Sequence, residues 1–246
     1  MIKEFRCDLH IHTCLSPCAD LEMHPEAVIE KSIAGQLDVI AVCDHNSSEN
    51  VRYVMKAAEG RPITVLPGME ITSSEEVHVL ALFDKLDKLN KLQEIVYRSL
   101  SGKNNEDIFG TQAIVNESGE VEGFNERLLI GATEITLHRL VEEIHNLGGL
   151  AIAAHIDRES FGVIGQLGFI PPDIQFDALE ISSRTGVRTA RTKYPELSEY
   201  AFIESSDAHF IRDIGKGFTK IYLEKVTIDE LKMAFEKRGG RYVQKG

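Results

Sequence analysis

The sequence is short of positive charge: 27 Lys and Arg face 39 Asp and Glu, a formal net charge of −12. A sequence-independent grip on duplex nucleic acid needs a positive face, so no duplex-binding face is expected. A small phosphorylated substrate, or the end of a short nucleic acid, stays open because bound cations reverse the local field. Long apolar runs are also missing, and none approaches the roughly 20 residues a membrane span needs. The opening residues MIKEFRCDLH lack the apolar region of a secretory signal. A cytoplasmic protein with no membrane partner is the expectation. Cysteine is scarce too, with Cys7, Cys14, Cys18 and Cys43 all in the first 43 residues. In that compartment these are thiols rather than disulfides, and the close pairs of a structural zinc clip are absent. They read mainly as small packing residues.

No repeat, low-complexity tract or linker interrupts the chain, which predicts one domain over residues 1–246. That length supports a large core and fits an α/β barrel or a layered α/β sheet. Short β-branched runs recur and most end in polar residues: FRCDLH, DVIAVCDH, ITVLPGMEI, VHVLALF, GLAIAAH, FDALEIS and AFIESSD. Several are nearly continuously apolar, as strands covered on both faces are. Between them HPEAVIEKSIAGQ, SENVRYVMKAAEG and TLHRLVEEIHNLGG carry helical spacing, and TIDELKMAFEKRGG does so near the end. Alternating β and α units predict parallel strands with right-handed crossovers, most economically a barrel. Residues 101–130 break the rhythm: QAIV and EVEGF flank NESG, which predicts an inserted hairpin. An insertion of this length reads as a lid, a specificity loop or a plain surface excursion.

The chemistry lies in where histidines and acids fall relative to the strands. His10 and His12 close the first strand, His45 the second and Glu70 the third, while His155, Asp207 and His209 close later ones. His78 stands instead at the start of its strand and must reach the rim differently. Ligands in parallel α/β folds bind at the carboxyl ends of strands. Residues two apart in extended chain project to the same side, so His10 pairs with His12 and Asp207 with His209. Mixed imidazoles and carboxylates suit Zn²⁺, Mn²⁺ or Fe²⁺ better than Mg²⁺ or Ca²⁺. With Asp20 counted, nine candidates exceed one tetrahedral ion, so two or three ions are expected. Taken singly, a His-x-His pair is weak and Asp207 would serve as a turn cap. His138 and His145 fall on a helix and read as structural, and His24 as a helix-cap residue.

The motifs DLHIHT, VCDHNS, PGMEIT, VHVLAL, AAHIDR, EISSRT and SSDAH, over residues 8–209, resemble those of the PHP family, the polymerase and histidinol phosphatase superfamily. The resemblance implies a distorted seven-stranded (β/α) barrel with a trinuclear metal centre at its carboxyl face. By position, His10, His12, Glu70 and Asp207 would hold one ion. Glu70 would bridge to a second, held by His78 and His155, and Asp20, His45 and His209 would hold the third, with His24 as a substitute for Asp20. The implied activity is hydrolysis of a phosphomonoester, such as histidinol phosphate, a nucleotide or an oligonucleotide end, by metal-activated hydroxide. Arg158 and Arg184, just past strand ends, would clamp the phosphate or else pair with nearby acids. Asp44 would orient a ligand or accept a backbone amide. The alternatives are a metal-dependent amidohydrolase, whose strand-end bridging lysine has no counterpart here, and a non-catalytic PHP accessory module.

Overall fold

The structure is a computed structural model and describes residues 1–244. Its strands are β1 (Lys3–Ile11), β2 (Val39–Val42), β3 (Thr64–Thr72), β4 (His78–Leu82), β5 (Ala113–Val115), β6 (Val121–Phe124), β7 (Leu150–Ala153), β8 (Ala178–Ser182), β9 (Phe202–Ser205), β10 (Thr219–Leu223) and β11 (Tyr242–Val243). Nine of them form one sheet in the order β11-β10-β1-β2-β3-β4-β7-β8-β9, while β5 and β6 pair separately. The sheet curls until β9 approaches β1, and a parallel bridge between Ile11 and Ala208 nearly closes it. The His12 N–H donates to the Ala208 carbonyl at 3.0 Å along this seam.

Two expectations need correction. The main sheet has nine strands, not seven, because β10 and β11 form an antiparallel ribbon on the outer edge of β1. TKIYL alternates buried and half-buried residues, so it lacks the continuous apolar run that marks strands covered on both faces. The sheet is also not uniformly parallel, since β4 runs antiparallel to both β3 and β7. Only residues 73–77 separate β3 from β4, far fewer than the dozen a parallel crossover requires. The reversal pairs Thr72 with His78 and places the start of β4 on the rim where its neighbours end.

Inward-facing positions recur every second residue. Val39, Ala41, Cys43, Leu66, Leu80, Leu82, Ile152, Ala154, Ala178 and Ile203 pack together, with Leu231 and Phe235 of the helix Ile228–Phe235. Each fully buried aliphatic side chain contributes about 1.5–3 kcal/mol. Gly68 belongs to this inward series because a Cβ there would lie 2.8 Å from Cys43 Sγ. Followed toward the rim, the same series continue into His45, Glu70, His78 and Glu180. The outer sheet face packs on helices including Pro25–Ala34, Leu86–Ser99 and Leu137–Asn146. His24 caps the first of these, its Nδ1 accepting from Ala27 N–H at 3.4 Å. Among the described residues no helix is long and apolar enough to cross a membrane.

The insertion contains the short helix Glu106–Phe109 and the β5–β6 hairpin. Asn50 ties it to the first loop, donating to Thr13 Oγ1 at 3.0 Å and to the Ala113 carbonyl at 3.1 Å. Its Oδ1 accepts from Val115 N–H at 3.1 Å.

Candidate metal centre

At the rim, Glu70 is the hub, buried to 1% exposure in a ring of imidazoles. Its Oε1 lies 2.8 Å from His78 Nδ1, 3.1 Å from His155 Nε2 and 3.5 Å from His10 Nε2. Its Oε2 lies 3.0 Å from His45 Nδ1 and 3.5 Å from His12 Nε2. Asp207 completes the first grouping, its Oδ1 standing 3.1 Å from His12 Nε2 and 3.4 Å from His10 Nε2. Among the described residues three trios bring ligand atoms within 4.8 Å of one another: His10–His12–Glu70, His45–Glu70–His78 and His12–His45–His209. The reversed β4 is what lets His78 join. His155 and Asp207 hold left-handed backbone, φ 28° and 48°, conformations costly for residues with a Cβ and concentrated at functional sites.

The PHP domain model matches residues 8–169, more than half of the 246-residue chain. The chain belongs to the PHP family. No curated protein is significantly similar to it in sequence. Among solved structures it resembles the lesion-specific endonuclease PfuEndoQ from Pyrococcus furiosus, at 17% identity and TM-score 0.75, over 98% of this chain and 58% of the endonuclease. It also resembles endonuclease Q in complex with a 27-mer duplex bearing an abasic lesion, at 17% identity and TM-score 0.70, again over 98% and 58%. The chain thus spans 58% of the length of these two structures. A Bifidobacterium adolescentis protein provisionally named a metal-dependent phosphoesterase aligns over 95% of this chain and 96% of its own, at 17% identity and TM-score 0.56. At such identities these likenesses establish the fold.

Within this PHP fold the structure gathers His10, His12, His45, Glu70, His78, His155, Asp207 and His209. Asp20 stands apart: its Oδ1 accepts from Glu22 N–H at 2.9 Å and its side chain is not buried. Cys18 occupies the adjoining place, its thiol beside His45 and His209. Partial desolvation of its side chain opposes the thiolate, yet hydrogen bonds to His209 and His45 outweigh it and bring Cys18, whose residue is otherwise exposed, down to about 6. Arg158 places Nη1 2.7 Å from Asp207 Oδ2, and with Arg184 it lines a cavity of about 490 Å³ that also includes Ser160 and Phe161. Phe161 stacks on His78 with ring centroids 4.5 Å apart.

Sequence reading missed Glu180. Its carboxylate, 2% exposed, sits 3.0 Å from His10 Nδ1 and accepts from His155 N–H at 3.1 Å. A carboxylate on the far nitrogen of a ligating histidine fixes the ring and raises its basicity. The available signal was an acid on an inward position of the apolar run ALEIS. His12 is held likewise, with Nδ1 2.9 Å from Ser16 Oγ, which donates to Asp44 Oδ1 at 2.7 Å. Asp44 also accepts from Thr13 N–H at 2.7 Å. Asp8 anchors the far loop by accepting from Ser206 N–H at 2.9 Å and Gly215 N–H at 3.0 Å, while burial pushes it up to about 7.

The donor set fits divalent cations. His10 Nε2 and His12 Nε2 face each other at 3.1 Å, with Asp207 Oδ1 within 3.4 Å of both. Two imidazole nitrogens and a carboxylate oxygen converge here, a donor set that a shared divalent cation would satisfy. His155 Nδ1 and His45 Nδ1 are buried without a hydrogen-bond partner, the latter close to Glu70 but misaligned. Burial disfavours ionised Glu70, yet His78, His10 and His45 hold its carboxyl well below the usual range. Burial likewise opposes charge on His10, and Glu180, Asp207 and Glu70 together raise it well above the ordinary imidazole value. Burial depresses His78 to about 4, leaving it a neutral donor near pH 7.

Proposed function

We propose that this PHP protein is a metal-dependent phosphoesterase that hydrolyses phosphomonoesters at a centre of up to three divalent ions. The observation that carries this reading is the convergence of six imidazoles on Glu70 and Asp207. His10, His12, Glu70 and Asp207 would hold one ion, Glu70, His78 and His155 a second, and His45 and His209 part of a third. When bound, such ions supply Lewis acidity and a nucleophilic water near neutral pH. Glu180 keeps His10 in one tautomer, and the Asp44–Ser16 pair does the same for His12. Arg158 would exchange its Asp207 partner for a phosphate oxygen, with Arg184 as a second cation across the cavity. Phe161 gives that cavity an apolar wall for the group carrying the phosphate.

The net charge of −12 favours a small phosphorylated molecule or a nucleic-acid end over a long duplex. The fold shared with an endonuclease that acts on lesion-bearing DNA makes an abasic duplex a necessary comparison. In this reading Glu70 would take the bridging place that a lysine takes in the amidohydrolase one. The test is phosphate release from sugar phosphates, histidinol phosphate, nucleotides and 5′- or 3′-phosphorylated oligonucleotides, with the abasic duplex assayed for strand cleavage. Activity lost on chelation, regained with Zn²⁺, Mn²⁺ or Fe²⁺, and abolished in Glu70→Gln is the expected result. Absence of metal-dependent turnover on every phosphoester refutes the reading.

A further inference from the structure

The third ligand position has no anion that it does not share with the other two. His12, His45 and His209 bring nitrogens within 4.8 Å of one another without a carboxylate among them. The carboxylates beside the trio, Glu70 at 3.0 Å from His45 Nδ1 and Asp207 at 3.5 Å from His209 Nδ1, are those assigned to the other two positions, so a third divalent ion in this half-enclosed place gains from an anion of its own. Asp20 does not supply the balance, because its side chain closes the local turn at Glu22. The Asp20 backbone instead does something else: its N–H donates to the His209 carbonyl at 2.9 Å. With Ala19 N–H bonded to the Ser16 carbonyl at 2.9 Å, this folds the loop back toward the cluster, where the Cys18 thiol hydrogen-bonds His209 and His45. The loop is braced from behind, since Cys14 N–H donates to the Met23 carbonyl at 3.0 Å and Ala113 N–H to the Cys14 carbonyl at 3.1 Å.

Two further observations bear on this place. His45 is 5% exposed and its Nδ1, 3.0 Å from Glu70 Oε2, makes no aligned hydrogen bond, so the ring is held between Glu70 and the third position as a ligand would be. The other thiols are engaged elsewhere: Cys7, Cys14 and Cys43 are buried, with Sγ directed at the carbonyls of Phe5, Ala113 and Leu9. Cys18 is the exposed one.

We infer that Cys18, not Asp20, is the anionic ligand of the third metal position, acting with His45 and His209. This rests on the cluster being a metal centre. Thiolate and imidazole donors suit borderline-soft ions, so this position takes Zn²⁺ or Fe²⁺ over Mn²⁺ or Mg²⁺. Two nitrogens and one sulfur leave a coordination place open to water or substrate, the pattern of reactive rather than structural zinc.

The test is anaerobic loading of the full chain, Cys18→Ser and Asp20→Asn with Co²⁺, reading bound metal per chain and the near-ultraviolet thiolate-to-cobalt charge-transfer band. The wild type and Asp20→Asn are expected to show the band. Cys18→Ser is expected to lose it and to bind its weakest ion at least about tenfold less tightly, the lower end of what even an outer-sphere loss costs. A second measurement needs no substitution: iodoacetamide should label Cys18 in the metal-free protein and be blocked by Zn²⁺, read by peptide mass. Cobalt bound without the band, a band surviving Cys18→Ser, or Cys18 labelled equally with and without Zn²⁺ overturns the assignment and leaves the metal centre standing. A wild-type chain that binds no Co²⁺ overturns the metal centre itself, and the assignment with it.

Discussion

Replacing Glu180 by glutamine keeps the size of the side chain and removes its charge. The carboxylate meets His10 Nδ1 at 3.0 Å and His155 N–H at 3.1 Å in a place 2% exposed to solvent. An amide oxygen can still accept one of these bonds, so packing survives while His10 loses its charged partner. Losses of this kind weaken metal affinity by about 10–100-fold, or roughly 1.4–2.7 kcal/mol. The assay is competition with a chromophoric chelator at pH 7, with bound metal counted by elemental analysis. The sign extends to pH. Glu180 helps raise His10 well above its ordinary value against the cost of burial, so its removal weakens proton binding as well as metal binding. The affinity gap between wild type and variant should therefore narrow as pH falls and protons compete for His10. An affinity within twofold of wild type across that range would refute the role given to Glu180.

Chelation should destabilise the fold by about 2.7 kcal/mol for each site held at a hundredfold excess over its Kd, read as a lower Tm restored by metal. An unchanged Tm would mean the residues are organised without ions. At the other end of the barrel Asp177 faces His145 Nε2 at 2.8 Å, Ala151 N–H at 2.8 Å and Lys232 at 3.2 Å. Burial pushes its carboxyl up, but these partners prevail and hold it below the usual range. Its stabilisation is therefore complete above the unfolded value of about 3.9 and lost as pH falls through the lower folded value. Asp177→Asn should cost about 1–3 kcal/mol at pH 7 in urea unfolding, and a gap that persists at pH 2 would contradict the pairing. Asn50→Ala removes three buried hydrogen bonds between the first loop and the insertion. A loss of about 2–3 kcal/mol is expected, with faster hydrogen exchange over residues 112–125, and unaltered exchange there would show that the insertion docks by other contacts.

The gathering of histidines and acids at the rim was legible wherever a strand delivers them. His45 and Glu70 end apolar runs, and residues two apart, as in HIH and DAH, share a side, so periodicity alone puts them on one rim. Direction was less legible, though the five residues between Thr72 and His78 are too few for a crossover. Loops were not legible at all. Between His12 and Asp20 no periodicity relates position to orientation, so nothing in the sequence shows that the Asp20 carboxylate closes a local turn at Glu22. Glu180 was hidden because one acid in ALEIS reads as surface until the neighbouring strands bury it. The β10–β11 ribbon escaped because it is covered on one face only.

The seam between Ile11 and Ala208 acquires a second meaning from what flanks it. His10 and His12 lie on one lip, Asp207 and His209 on the other, and one parallel bridge joins them. Ions shared across those lips would act as the clasp of the cylinder, tying residues nearly 200 positions apart. A chain starved of metal and opened there would bare one side of β9 and the last residues of β1, beyond Cys7 where the pairing with β10 stops, and unpaired strand edges recruit other chains. Metal depletion in a cell would then register first as precipitation of this protein, and only second as missing turnover.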